Sequence, residues 1–219
     1  MARVLVIGDT HAPAMHSGYV DFLRDTARRW NTKQVVHIGD VVDHHCISFH
    51  SKHPNNTGAV TEYKDALGQI KNLYKAFPSL TVTVGNHDSR VYRLNANMGI
   101  PGMYLQHFNA LYGTKKWKWE DYVEIDGIYY YHGEGCGGLH PAFNAAKMRM
   151  QSTVIGHYHS ACGIWYQAGP KAKIWGMNVG CGLDRNHYSM QYGAAFLKKP
   201  ILACGVVIDG NPFIETMNL

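Results

Sequence analysis

Gln34-Val35-Val36-His37-Ile38-Gly39-Asp40-Val41-Val42-Asp43 is the stretch on which the reading of the fold turns. Val35, Val36 and Ile38 make a short apolar run of the kind that forms a buried strand; Gly39 ends it, and Asp40 carries a carboxylate into the space beyond. The pattern recurs along the chain. Leu5-Val6-Ile7-Gly8 runs into Asp9-Thr10-His11, Val82-Thr83-Val84-Gly85 into Asn86-His87-Asp88, and Val154-Ile155-Gly156 into His157-Tyr158-His159. Tyr129-Tyr130-Tyr131 ends on His132. One polar turn after a strand is ordinary. A repeated set is informative, because open α/β sheets bind ligands at the carboxyl ends of their strands, where side chains distant in sequence converge.

Convergence would gather Asp9, His11, Asp40, Asn86, His132, His157 and His159. Seven donors exceed one tetrahedral zinc and lack the thiolates of a structural site. Carboxylate, amide and imidazole together suit two divalent cations sharing a bridging carboxylate, with manganese expected first and iron, zinc or nickel as alternatives.

The length of 219 residues, with 46% hydrophobic and 17% charged, fits one ordinary globular domain spanning residues 1–219. No apolar run approaches the roughly 18–20 residues of a membrane span, and Met1-Ala2-Arg3 leads directly into a strand, so a cytoplasmic protein without a membrane partner is expected. Cys46, Cys136, Cys162, Cys181 and Cys204 are odd in number and widely spaced, which argues against a disulfide framework and for reduced thiols. The net charge of +5 is not gathered into a basic tract; it suits a phosphorylated substrate as well as a solvated surface.

Tyr19, Phe22, Leu23, Thr26, Ala27 and Trp30 predict a helix, with Ser17 as its N-cap, that returns the chain to the Gln34 strand. Such a βαβ unit makes the two strands parallel and sets Asp9 and Asp40 at one sheet edge. His44 to Gly58 reads as a long surface loop of the kind that forms lids. Tyr63 to Phe77 predicts a second helix, ended by Pro78. Val91 to Gly113 reads as irregular to helical, with Met103, Leu105, Phe108 and Leu111 as buried anchors. Tyr122–Ile125 and Ile128–Tyr131 flank an Asp126-Gly127 hairpin turn. Pro141 leads into a helix over 142–150, and strands are expected at 163–167, 173–179 and 201–209, with a loop at 180–193. Helices between the early strands and hairpins later predict two stacked sheets with helices outside.

Gly8-Asp9-x-His11, Gly39-Asp40-x-x-Asp43, Gly85-Asn86-His87-Asp88, His132-Gly133 and Gly156-His157-x-His159 resemble, in order and spacing, the five blocks of the calcineurin-like metallophosphoesterase superfamily. The resemblance implies a four-layer α/β/β/α sandwich, two mixed sheets flanked by helices, with a dinuclear centre between the sheets' loops. Asp9, His11 and His159 would hold one metal, Asn86, His132 and His157 the other, and Asp40 would bridge. His87 would sit beside the substrate phosphate without ligating metal, Asp88 would orient its imidazole, and Asp43 would steady a ligating histidine. The chemistry agrees with the name: paired cations lower the pKa of a bridging water and bind phosphoryl oxygens. A metal-free histidine with a carboxylate neighbour can protonate the leaving alkoxide. Donors one residue apart, as in Asp9/His11 and His157/His159, share a direction on extended backbone.

Protein Ser/Thr phosphatases of this superfamily carry Asp-Arg-Gly after the second block and Glu after Asn-His. Asp43-His44-His45 and Asp88 stand here instead, so the chain resembles the branch of phosphodiesterases, nucleases and small-molecule phosphatases, and the leading expectation is a phosphodiesterase acting on a nucleotide or other small phosphoester. A nuclease is the alternative, with Trp117, Trp119 and Trp165 available to stack bases of DNA or RNA. An inactive binding module would carry broken ligands, and none of the seven is broken. Arg90 and Arg93 offer a phosphate clamp or plain surface charge, and His44, His45, His50, His53, His140 and His187 either line the pocket or decorate loops, with loop decoration the preferred reading.

Overall fold

The computed structural model describes residues 1–49, 52, 54–193 and 197–217. In chain order the elements are β1 (Arg3–Ile7), α1 (Tyr19–Arg29), β2 (Gln34–His37), α2 (Ala59–Ala76), β3 (Thr81–Thr83), α3 (Arg90–Asn97) and α4 (Phe108–Tyr112). There follow β4 (Lys118–Glu120), β5 (Tyr122–Ile125), β6 (Ile128–Tyr131), α5 (Pro141–Arg149), β7 (Thr153–Ile155), β8 (Gly163–Ala168), β9 (Lys173–Asn178), β10 (Ala203–Ile208) and β11 (Asn211–Thr216). One sheet runs β11-β10-β1-β2-β3-β4 and the other β5-β6-β7-β9-β8. Strands β1 to β4 are mutually parallel, as are β6, β7 and β9; the β10–β11 hairpin makes one edge of the first sheet antiparallel, and β5 and β8 are antiparallel at the two edges of the second.

Strict alternation along β1 builds the layers. Leu5 and Ile7 turn outward onto α1 and α2, meeting Leu23, Ile70 and Leu73. Val4 and Val6 turn inward against Tyr130, Val154, Trp175 and Met177 of the second sheet. A strand buried on both faces must be apolar at every position, and each such side chain contributes roughly 1.5–3 kcal/mol on burial. Ala142 and Ala145 of α5 cover Ile155 on the far side, completing two mixed sheets with helices outside.

Several local expectations change. The N-cap of α1 is Gly18, with no side-chain cap bond, in place of Ser17. Helix α2 begins at Ala59, ahead of its apolar stripe. The region 44–58 opens with a short 3-10 turn at His45–Ile47; its residues 50, 51 and 53, and so His50 and His53, lie outside the described residues. Met103 is 85% exposed and anchors nothing, while Leu105, Phe108 and Leu111 are half-buried. The expected strand at 201–209 is β10, and it turns through Asp209-Gly210, both at positive φ, into the unforeseen edge strand β11. Pro212 lacks an N–H for a ladder, and an edge is where a sheet tolerates it. Among the described residues no helix is long and apolar enough to cross a membrane. All five cysteines are free thiols.

Candidate metal centre

Parallel pairing of β1, β2 and β3 brings Asp9, Asp40 and Asn86 to one edge of the first sheet; β6 and β7 bring His132, His157 and His159 to the facing edge of the second. The turns that follow are tight. His11, Asp40 and His157 sit at φ of 47°, 50° and 64°, a left-handed conformation that non-glycine residues rarely adopt and that clusters at functional sites. Glycine is required beside them at two points. A Cβ on Gly85 would collide with Asp40 Oδ1 and its backbone nitrogen, and a Cβ on Gly156 with Asp9 Oδ1.

Asp9 Oδ2 lies 3.0 Å from His159 Nε2 and accepts the His157 N–H at 2.9 Å. His11 Nε2 faces His159 Nε2 at 3.1 Å. Across the centre, His132 Nε2 is 2.9 Å from Asn86 Oδ1 and 3.1 Å from His157 Nδ1. Asp40 Oδ2 stands between the two groups, 3.6 Å from His11 Nε2 and 3.3 Å from His132 Nε2. All seven residues chosen from sequence therefore meet. Six of them form two clusters, Asp9/His11/His159 and Asp40/His132/His157, each with donor atoms within 4.8 Å of one another, and Asn86 meets the second through His132; His87 joins His11 and Asp40 in a third. His157 and His159 go to different clusters, because the left-handed turn at His157 replaces the extended backbone on which a shared direction depended.

A divalent ion fits this donor set. His11 gives its Nδ1–H to Asp43 Oδ1 at 3.1 Å and His132 gives its Nδ1–H to the Ile38 carbonyl at 3.0 Å, so each Nε2 lone pair is aimed at the centre. Asp9 Oδ1 is buried with no hydrogen-bond partner in the protein, an acceptor that a cation would satisfy. Asp9, His11, Asp40 and His132 are buried, whereas Asn86, His157 and His159 are partly open to solvent.

Burial by itself would raise the carboxyl pKa of Asp40, but the charge and hydrogen bond of His132, with His87 and His11 nearby, hold it well below the ordinary value. Asp9 is likewise lowered, burial being outweighed by its bond to His159 and the charge of His132. In return His132, although burial opposes its charge, is pushed up to about 10 by Asp40 and Asp9. Burial and then the charge of His132 bring His157 down to about 4, and burial and then His87 lower His11. The centre thus holds two buried carboxylates, Asp9 and Asp40, in their charged form, a field suited to cations.

Asp88 does not orient His87. Its carboxylate is fully buried and accepts the backbone N–H groups of Val41, Val42 and Gly85 at 2.9, 3.3 and 2.9 Å, tying the third block's loop to the second's. Burial, then the charge of Asp40, raises its pKa to about 7. Asp43 takes the expected role of Asp88 as well as its own: its carbonyl accepts His87 Nδ1–H at 2.6 Å, and its Oδ1 lies 3.1 Å from both His11 Nδ1 and His87 Nδ1.

Three contributors have roles the sequence reading did not give them. Arg90 is buried, and its Nη1 donates to the Asp43 and His44 carbonyls, so it clamps the protein's own backbone. His44 donates Nδ1–H to the His87 carbonyl at 2.9 Å. His37 is buried beneath the centre, 3.1 Å from Thr10 Oγ1, with burial bringing its pKa to about 4. Arg93 also binds backbone, the Asn86 carbonyl. Among the remaining histidines, His45 is buried, His140 packs on Trp165, and His187 bonds Ser189. Trp117 and Trp119 are core residues, 1% and 9% exposed, and Trp119 is stacked on Phe108, so neither can stack a base; Trp165 is half-buried.

A family model described as calcineurin-like phosphoesterase matches residues 2–172. No curated protein sequence matches the chain. Similar solved structures include Vacuolar Protein Sorting 29 from Cryptosporidium parvum, at 14% identity and TM-score 0.46 over 99% of this chain and 96% of that one. The phosphoesterase YfcE from E. coli shows 15% identity and TM-score 0.44 over 94% and 88%. The nuclease MPE from Pseudomonas putida shows 12% and 0.36 over 97% and 87%.

Proposed function

The chain belongs to the calcineurin-like phosphoesterase family of metal-dependent phosphoester hydrolases, and from that premise we propose that it is a phosphodiesterase of a nucleotide or other small phosphoester, working with two divalent ions, manganese first among them. The observation that carries the proposal is the position of Asp40 Oδ2 between His11 of one donor cluster and His132 of the other, to which Asp40 itself belongs. Asp9, His11 and His159 would hold one ion, Asn86, His132 and His157 the other, and Asp40 would touch both. When bound, the ions supply Lewis acidity to the phosphoryl oxygens and acidify water.

The chain's own groups do the rest. His87, anchored through Nδ1–H on the Asp43 carbonyl, leaves Nε2 as the position from which a proton reaches the leaving oxygen. Burial opposes its charge, but Asp40 and Asp43 raise its pKa above the ordinary value, which favours the proton-carrying form near neutral pH. Asn86 adds an oxygen donor without a negative charge that would repel the substrate. The burial of Trp117 and Trp119 removes most of the aromatic support for a nuclease, and the seven intact donors speak against an inactive binding module.

The test is a manganese-supplemented assay of bis-para-nitrophenyl phosphate against para-nitrophenyl phosphate, with Asp40→Asn as control. Turnover of at least the diester, abolished in the variant, is expected; no turnover of either, or an unaffected variant, overturns the proposal. Steeply salt-dependent cleavage of single-stranded DNA in preference to the diester would favour the nuclease.

A further inference from the structure

We propose that His37 is a positioning residue for the centre, locking the turn that carries Asp40 onto the turn that carries Asp9 and His11; the proposal rests on the two-ion reading and deepens it. Alternation along β2 sends Val36 and Ile38 into the core between the sheets and Val35 toward the helices, so His37 takes the next place in the outward row of Val35. An apolar side chain is what that row calls for. The imidazole is fully buried there instead, which is tolerated only where its ring nitrogens find partners.

The partners belong to the two metal-donor turns. Gly39 N–H donates to His37 Nδ1 at 3.2 Å, which leaves Nε2 as the protonated nitrogen, facing Thr10 Oγ1 at 3.1 Å. Thr10 in turn donates its hydroxyl to the Val41 carbonyl at 3.0 Å. Gly39 and Val41 flank Asp40, and Thr10 lies between Asp9 and His11. The ring therefore holds the peptide before Asp40 directly and the carbonyl after it through one hydroxyl. Asp40 needs holding, because at φ 50° a non-glycine residue is kept in place only by its surroundings. The Thr10 and His11 N–H groups meet on the Asp40 carbonyl at 3.1 and 2.9 Å. Both bonds pivot on that one oxygen, and the chain through His37 supplies the further ties that stop the turns swinging about it. Among the described residues Asn86, His132 and His157 make no hydrogen bond to His37, so its reach is confined to the first ion's donors and the bridge.

Two variants break the chain at different points. His37→Phe fills the space and removes both ring bonds, and Thr10→Val removes the hydroxyl alone. Calorimetric titration with manganese and electron paramagnetic resonance of the loaded protein read the positioning without turnover. The wild type should take up two equivalents and show the spectrum of a coupled pair. In each variant at least one equivalent should bind about 10- to 100-fold more weakly, and the coupled spectrum should give way to that of isolated manganese. His37→Asn, whose Oδ1 can still accept an N–H two residues on, should recover part of the affinity. A ring that merely fills the core would lower the urea midpoint in His37→Phe and leave the manganese affinity of the folded protein untouched. That result, unchanged affinity in Thr10→Val, or no recovery in His37→Asn overturns the proposal. Should His37→Phe not fold, Thr10→Val decides by the same readings. A wild type that binds one equivalent sinks the two-ion reading and not this one, which then stands or falls on whether that equivalent weakens in Thr10→Val.

Discussion

Replacing Arg90 with methionine isolates the outer support of the centre. Arg90 opens α3 at 8% exposure, and its Nη1 donates at 2.8 and 2.9 Å to the carbonyls of Asp43 and His44. The Asp43 carbonyl also takes the His87 Nδ1–H, and His44 donates back to the His87 carbonyl, so Arg90, Asp43, His44 and His87 close a ring of hydrogen bonds. Methionine keeps much of the aliphatic stem and removes both charged donors. The Asp43 carbonyl retains His87 as a partner, and the His44 carbonyl keeps the Ile47 N–H at 3.3 Å. Hydrogen bonds from a charged group are worth about 1.5–3 kcal/mol. Both bonds come from one nitrogen and both carbonyls keep a second partner, so Arg90→Met should destabilise by about 1.5–3 kcal/mol in urea denaturation. The rate should fall by about 10- to 100-fold, the range for losing an outer partner of a site residue. Manganese content should not change, because Arg90 contacts none of the seven donors. Arg90→Lys, one donor group in place of a fork, should recover part of the loss. Unchanged stability and rate in Arg90→Met would refute the clamp, and loss of manganese would show that the ring supports ligands and not His87.

Other changes reach the centre itself. His87→Asn should lower the diesterase rate and leave manganese content intact; because a ring nitrogen of His87 lies within 4.8 Å of donor atoms of His11 and Asp40, loss of metal would make His87 a ligand. Gly85→Ala puts a methyl group against Asp40 Oδ1 and should abolish metal binding in calorimetry, and retention of wild-type affinity would show that the turn can yield. The metal-free protein should lose stability as pH rises from 7.0 to 8.5. His132 is held at about 10 in the folded state against about 6.5 unfolded, so its contribution is complete below the unfolded value and drains away toward the folded one. One proton over that interval amounts to on the order of 2 kcal/mol, and a flat denaturation midpoint would contradict it. Asp40 and Asp9, both lowered, lose their contribution only in acid, beneath that window.

What could be read from sequence was whatever a strand end dictates. Gly8, Gly39, Gly85 and Gly156 each precede a donor, and parallel pairing carries those donors to one edge without further information. Direction within a turn was not legible. Asp88 follows His87 in sequence, yet the chain is already entering α3 there and the carboxylate turns down onto the amides of Val41, Val42 and Gly85. Asp43, distant in sequence, arrives at His87 because its own loop lies across the same edge. Trp117 and Trp119 show the opposite case, a signal present and misread. Alternation with Lys116 and Lys118 at a period of two sends both indoles into one core, Trp119 from β4 and Trp117 from the residue just before it, and chain with charge on one side and tryptophan on the other buries the tryptophan. The clamp by Arg90 had no such signal, since an arginine that begins a helix looks the same in sequence whether it faces solvent or folds back onto two carbonyls. Its side chain is fixed by what the second block's loop leaves unpaired, and that loop takes its shape from the left-handed turns at Asp40 and His44, at φ of 50° and 51°. The contacts that aim His87 therefore follow from backbone geometry imposed by the metal-donor turns, which is why the donors were legible from sequence and their supports were not.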